Sequence, residues 1–206
     1  MKRNTPIFKP ELSEQLIKFA QLIPGFNTAE ACYSFFTWMK SEIFYSRLKH
    51  FYDAVNLDEN EFRNYFNTLN SEETELISVY LFEKLFSADE IEKSYLYGLI
   101  YKHAVLNKTP PIQVMRLCKA IENTFIEDLK YLGMYAKSTT DSSHRGVSLL
   151  NVGLLINKGF DGGLISDPYS GGTVFQLSNL GKQLYQILES NHWKHLQTNT
   201  PSGKSM

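Results

Sequence analysis

The chain has 206 residues, 43% of them hydrophobic and 14% aromatic, with 21 Lys or Arg against 22 Asp or Glu. That length buries a core without covalent staples, and the composition excludes both a disordered chain and a uniformly basic nucleic-acid binder. The near balance hides a split: residues 1–100 carry 10 basic and 15 acidic side chains, residues 101–206 carry 11 and 7. The second half could meet an acidic partner, although capped helices produce an imbalance of this size on their own.

Cys32 and Cys118 stand alone, with no CxxC pair and no Cys/His cluster. This predicts free thiols, no structural zinc and a reducing, cytoplasmic setting. In the N-terminal "MKRNTPIFKPELSEQ", Lys9, Glu11 and Glu14 interrupt what a secretory signal needs as its apolar core. The most apolar zone, "FAQLIPGFNTAEACYSFFTWMKSEIF", is broken by Pro24, Gly25 and Glu30, short of the roughly 20 apolar residues of a spanning helix.

Leu12, Leu16, Phe19, Ala20, Leu22 and Ile23 recur at helical spacing up to Pro24-Gly25. Thr28 then caps a long helix whose apolar series runs from Cys32 through Phe35, Phe36, Met39, Ile43, Leu48 and Phe51 to Val55. Its aromatic residues invite a base-stacking or lipid-surface reading. Mixed charges at Lys40, Glu42, Arg47 and Lys49 favour core packing instead, with peripheral membrane contact around Phe26 to Trp38 kept as an alternative.

From 57 to 106 the pattern predicts three amphipathic helices, with Asp58, Ser71 and Ser87 as caps. Acids just after each cap, such as Glu72, Glu73 and Glu75, oppose the positive end of the helix dipole, so they need no catalytic or metal role. Pro110 and Pro111 open a further helix with Ile112, Met115, Leu117, Ile121, Phe125, Leu129 and Leu132 along one side. The apolar-free "KSTTDSSHRG" at 137–146 then reads as a linker.

"VSLLNVGLLINKGF" predicts a buried helix, ended by Gly159, Gly162 and Gly163. "GLISDP" and "TVFQLS" are β-leaning segments joined by Pro168-Tyr169-Ser170-Gly171-Gly172, and Ser178 caps a last helix through Leu180, Leu184, Ile187 and Leu188. This phrase of about 25 residues resembles the prokaryotic winged-helix pattern, in which Gly-Leu-Ile opens the first wing strand and Phe-x-Leu-Ser-x-x-Gly-x-x-Leu leads into a helix. The resemblance implies core positions for Leu164, Ile165, Phe175, Leu177, Leu180 and Leu184 and a close approach at Gly181. It also implies a recognition helix over about 144–158, with Arg145, Ser148, Asn151 and Lys158 as the residues that would meet nucleic acid. The wing itself carries Asp167 and no cation, which is poor for phosphate contact. The helical body is loosely similar to uncharacterised bacterial and phage-associated proteins.

The remaining motifs fail their context. His192 and His195 lack a third ligand nearby, "SGKSM" lacks the earlier glycine and the following helix of a phosphate loop, and His103 has no adjacent nucleophile. No catalytic residue, cofactor or metal is predicted. The expected architecture is mainly α: a multi-helix body over 1–137, then a small α+β winged-helix-like unit over 138–206, a β-hairpin plus C-terminal helix with a disordered tail. The expected role is a non-enzymatic binding or regulatory protein of a prokaryote or phage, acting through a protein partner or a homo-oligomer. A DNA-binding transcriptional regulator is the alternative.

Overall fold

In the computed structural model the described residues are 18, 22–24, 42–162 and 171–193. The protein is mainly helical, with a small three-stranded antiparallel sheet and a final helix near the C-terminus. Its contacts divide it into two compact units, Met1–Pro111 and Ile112–Met206. Most of the first predicted helix, the part of the second before Glu42, and the C-terminal tail fall outside the described residues, as do the segment around Phe26 to Trp38 and "GLISDPYS" at 163–170. Leu22 and Ile23 are described, and both are buried.

Four helices are described in the first unit: α1 Glu42–Val55, α2 Glu59–Asn67, α3 Ser71–Ser87 and α4 Ile91–Asn107. α1 turns Phe44, Leu48, Phe51, Ala54 and Val55 inward, as expected of Leu48, Phe51 and Val55, whereas Ile43, expected in the same series, is 60% exposed and Phe44 beside it takes the core position. α4 is not the amphipathic helix its neighbours suggest. Lys93, Ser94, Leu96 to Tyr101, Ala104 and Val105 are all buried, so it is enclosed on most of its circumference. α1 crosses it at Gly98, where a Cβ would lie 2.5 Å from the Phe51 carbonyl oxygen and 2.6 Å from the Ala54 Cβ. Only glycine admits that approach. The Phe51 and Tyr101 rings meet edge to face at 5.5 Å, and the Tyr101 hydroxyl donates to the Ile77 carbonyl on α3. Tyr65 ties α2 to the end of α4 by donating to the Thr109 carbonyl; burial, then the charge of Glu73, pushes its pKa up to about 12. The phenol therefore remains a donor at neutral pH.

The helix starts follow cap chemistry with two shifts from expectation. Asp58 caps α2 as expected, and Glu61 reaches back to its amide to complete a capping box. At α3 the cap is Asn70 rather than Ser71: the Asn70 side chain accepts from the Glu73 amide while Glu73 reaches back to the Asn70 amide. Ser87 is the last residue of α3, not a cap for α4, because its hydroxyl bonds back to the Glu83 carbonyl. α4 starts behind Glu90, with Asp89 accepting from the Glu90 amide and from Lys93.

α5 Pro111–Glu122 begins at the last residue of the first unit and otherwise belongs to the second; Ile112, expected on its apolar side, is exposed. The predicted helix to Leu132 is interrupted: Thr124 bonds back to the Ala120 carbonyl, Phe125 turns outward at 72% exposure, and the chain restarts as α6 Ile126–Leu129 and a 3-10 helix Leu132–Ala136. The residues read as a linker are structured. Thr139–Asp141 is strand β1, paired with Phe175 to Thr173, and α7 His144–Asn151 follows directly.

The predicted long helix from 147 onward ends at Asn151, and Leu155–Asp161 is strand β2. Val152 and Gly153 turn the chain out of the helix, and the apolar run beyond them supplies a strand in place of more helix. An apolar run of this kind fits either element by periodicity alone. β3 Gly172–Leu177 lies between β1 and β2, and α8 Asn179–Ser190 closes the unit. Ser178 caps α8 by accepting from the Gly181 amide and donates to the Gly153 carbonyl. A Cβ on Gly181 would come within 2.0 Å of the Leu154 carbonyl oxygen, the close approach expected at that position. Phe175, Leu177 and Leu184 are buried and Leu180 is half-buried; Leu164 and Ile165 fall outside the described residues.

Candidate functional site

The residues expected to meet a ligand sit on two elements, so the site is built from β1 outward. At the end of β1, the Asp141 carboxylate accepts from the Ser143 amide at 2.7 Å and from its hydroxyl at 2.9 Å, turning the chain into α7. The Tyr135 hydroxyl, from the 3-10 helix, donates to the same carboxylate. Burial pushes the Asp141 pKa up, but the bonds from Tyr135 and Ser143 and the charge of Arg145 outweigh it and hold the group below the usual carboxylate range. Burial, and then the bond to Asp141, raise the Tyr135 pKa strongly. The Tyr135 ring stands edge-on to Phe175 at 6.2 Å, and Phe175 in turn lies where a Cβ on Gly146 would be, 2.5 Å from its Cε2. α7 is thus seated on β3 through glycine and held at its start by a carboxylate.

Arg145 points into this framework. Its guanidinium carbon lies 3.5 Å from the centre of the Tyr131 ring, and its Nε is 3.9 Å from the Asp128 carboxylate. That nitrogen is enclosed and takes no hydrogen bond in the structure. Such stacking and pairing fix the cation against α6 and the residues after it. Ser148, one turn on, is half-buried, whereas Asn151 at the helix end is exposed. The exposed stripe of α7 is His144, Val147 and Asn151, displaced from the Arg145, Ser148, Asn151 stripe expected from spacing. Lys158 is not on this helix. It lies exposed on β2, separated from Asn151 by the helix end, so the four residues do not form one helical face.

β2 is an edge of the sheet, and every residue from Ile156 to Asp161 is exposed. Its pairing shifts from Asn157 opposite Phe175 to Phe160 opposite Thr173, so Lys158 and Gly159 together oppose a single residue of β3. The bulge is held by Asn157, whose side-chain oxygen accepts from the Gly159 amide at 2.7 Å. A bulge and a lysine both blunt an edge against adding another strand. What β2 offers instead is a side chain: Phe160 is 82% exposed, on the sheet face that carries the buried Phe175 and Leu177.

Phe160 and the Asp141–Tyr135 pair escape sequence reading for different reasons. Phe160 looks like the end of a buried helix until β2 is recognised, and Asp141 sits in polar sequence that resembles a linker. An Asp two residues before a Ser at a helix start was the available signal for the latter. Burial lowers the pKa of His103, whose ring nitrogen meets the Asn107 amide group one turn on. Among the described residues no group of three or more His, Cys, Asp or Glu could hold a metal, and no helix is long and apolar enough to cross a membrane. His195 lies outside the described residues. Comparison of the chain with protein-family models, with curated proteins and with solved structures gives no match.

Proposed function

We propose that the protein is a non-enzymatic binding or regulatory protein whose second unit works by protein contact, with Phe160 as its anchor. The observation that carries this reading is the 82% exposure of an aromatic side chain on a strand edge whose bulge and lysine disfavour strand addition. Aromatic residues presented in this way are the side chains on which protein interfaces most often depend. Val147, 47% exposed on α7, adds apolar surface in the same unit.

A photo-crosslinking residue at position 160, used in cells that express the protein, tests the proposal. It should form an adduct with a protein partner, and Phe160→Ser should weaken the purified complex at least tenfold while leaving the unfolding curve in place. Absence of an adduct at 160, or equal binding by Phe160→Ser, would overturn it.

A DNA-binding regulator is the second reading. It is supported by the β1-β3-β2 order, with α7 running into the β2–β3 pair as in a winged-helix arrangement. The engagement of Arg145 by Tyr131 and Asp128 counts against it, leaving Ser148, Asn151 and Lys158 with one cation for phosphate. So few phosphate contacts give weak duplex binding. No mobility shift with duplex at about 50 mM salt is the expected result; a shift that Lys158→Ala abolishes would reverse the order of the two readings.

A further inference from the structure

In the first unit, α3 buries Ile77, Ser78, Leu81, Lys84 and Leu85. Its opposite side presents Glu72, Leu76, Val79, Glu83 and Phe86, all exposed and spaced by alternating steps of four and three residues. That is the spacing of a seam against another helix. Leu76, Val79 and Phe86 are 47%, 62% and 55% exposed, more large apolar surface on one stripe than scattered single residues give. Acids border the stripe at Glu72, Glu75 and Glu83; Glu83 accepts from Lys84 at 3.2 Å and is itself 63% exposed. Lys84, the one Lys or Arg of α3, is buried and lies against the Tyr80 ring, so the helix's own exposed side chains carry negative charge only; Arg47 of α1 meets its last turn by donating to the Phe86 carbonyl. The surroundings agree: residues 42–111 hold 12 Asp or Glu and 7 Lys or Arg, and Lys84 and Lys93 among the latter are buried.

We propose that this face of α3 docks an amphipathic helix of a partner protein, apolar on one side and flanked by Lys or Arg. Charge selects this occupant. An antiparallel pair of α3 helices from two copies, centred on Val79, would set Glu83 against Leu76 at both ends, stripping water from two carboxylates with no cation opposite; Arg47 of α1, which donates to the Phe86 carbonyl, would stand only near Glu72 of the other copy. Anionic lipid and nucleic acid are repelled by the same acids. A cationic helix satisfies both the carboxylates and the apolar stripe.

The test uses the full-length protein and a synthetic helix of about 18 residues, long enough to reach along α3, with Leu at alternating three- and four-residue steps and Lys elsewhere. A matched peptide with Glu replacing Lys is the control. The Lys peptide should bind in a salt-sensitive way and the Glu peptide should not. Leu76→Ser with Val79→Ser should weaken binding by about tenfold, the scale of losing two part-buried aliphatic contacts. Glu72→Gln with Glu75→Gln and Glu83→Gln should weaken it several-fold, whereas Glu59→Gln with Glu92→Gln, on α2 and α4, should leave it unchanged. Phe160→Ser should also leave it unchanged, which separates this surface from that of the second unit. The proposal is overturned if both peptides bind alike, if neither binds, if the control glutamates matter as much as those of α3, or if sedimentation shows a dimer that Leu76→Ser with Val79→Ser dissolves. Circular dichroism on each variant verifies that the fold is retained.

Discussion

Asp141 accepts three hydrogen bonds, from the Tyr135 hydroxyl and from the amide and hydroxyl of Ser143, and joins β1 to the start of α7. Its carboxyl pKa is held below the ordinary value, so its contribution to stability is complete above about pH 4 and is lost as the pH falls through the lowered folded-state value. Asp141→Asn should therefore lower the free energy of unfolding at pH 7 and flatten its acid dependence, measured by urea titration between pH 7 and pH 3. Tyr135→Phe removes one bond to the charged group and should cost about 1–3 kcal/mol while moving the acid limb upward, because the carboxylate then titrates closer to its ordinary pKa. At Gly181 the constraint is steric. A Cβ within 2.0 Å of the Leu154 carbonyl oxygen forces α8 away from the turn, and Gly181→Ala should cost about 1–3 kcal/mol by the same measurement. The close approach at Gly181 was implied by the resemblance to the winged-helix pattern. The role of Arg145 was not: a cation one residue into a helix looks identical whether it faces phosphate or the Tyr131 ring.

Elements differ in how much of themselves they show in sequence. α2 and α8 announce their starts, and α3 does so to within one residue, because a cap needs only its own side chain and an amide two or three residues on. Asn70→Ala, which breaks the capping box of α3, should lower stability by about 1 kcal/mol in chemical denaturation, with Ser71→Ala near neutral since Ser71 is not the cap. Ser178→Ala should cost more than an ordinary cap, because its hydroxyl also donates to the Gly153 carbonyl, across the turn that separates α7 from β2. β1 and β2 are hidden for complementary reasons. β1 is three polar residues whose strand character comes wholly from pairing with β3, and β2 shares its composition with a buried helix. The break after α5 is hidden too: Phe125 keeps the helical apolar period yet turns to solvent once Thr124 bonds back to Ala120.

Across the whole molecule the contacts form two units, each with its own buried residues. Gly98→Ala, which forces α1 off α4, should speed hydrogen exchange through α1 to α4, with exchange in β1 to α8 little changed; uniform acceleration along the chain would show a single cooperative body. The acidic face of α3 belongs to the first unit and the exposed Phe160 to the second, and each is open to its own variant. By itself, the amino-acid sequence determined the mainly helical class, the helix caps of α2 and α8, the inward place of Leu48, Phe51 and Val55 on α1 and the place of the terminal helix. Each of these depends on residues a few positions apart. Tertiary structure alone decided that the polar stretch before α7 pairs as a strand, that the apolar run after it leaves the helix for a sheet edge, and that Arg145 stacks on Tyr131. Those outcomes rest on groups far apart along the chain, such as Asp141 opposite Thr173 and Asn157 opposite Phe175, whose contact exists only once the chain has folded.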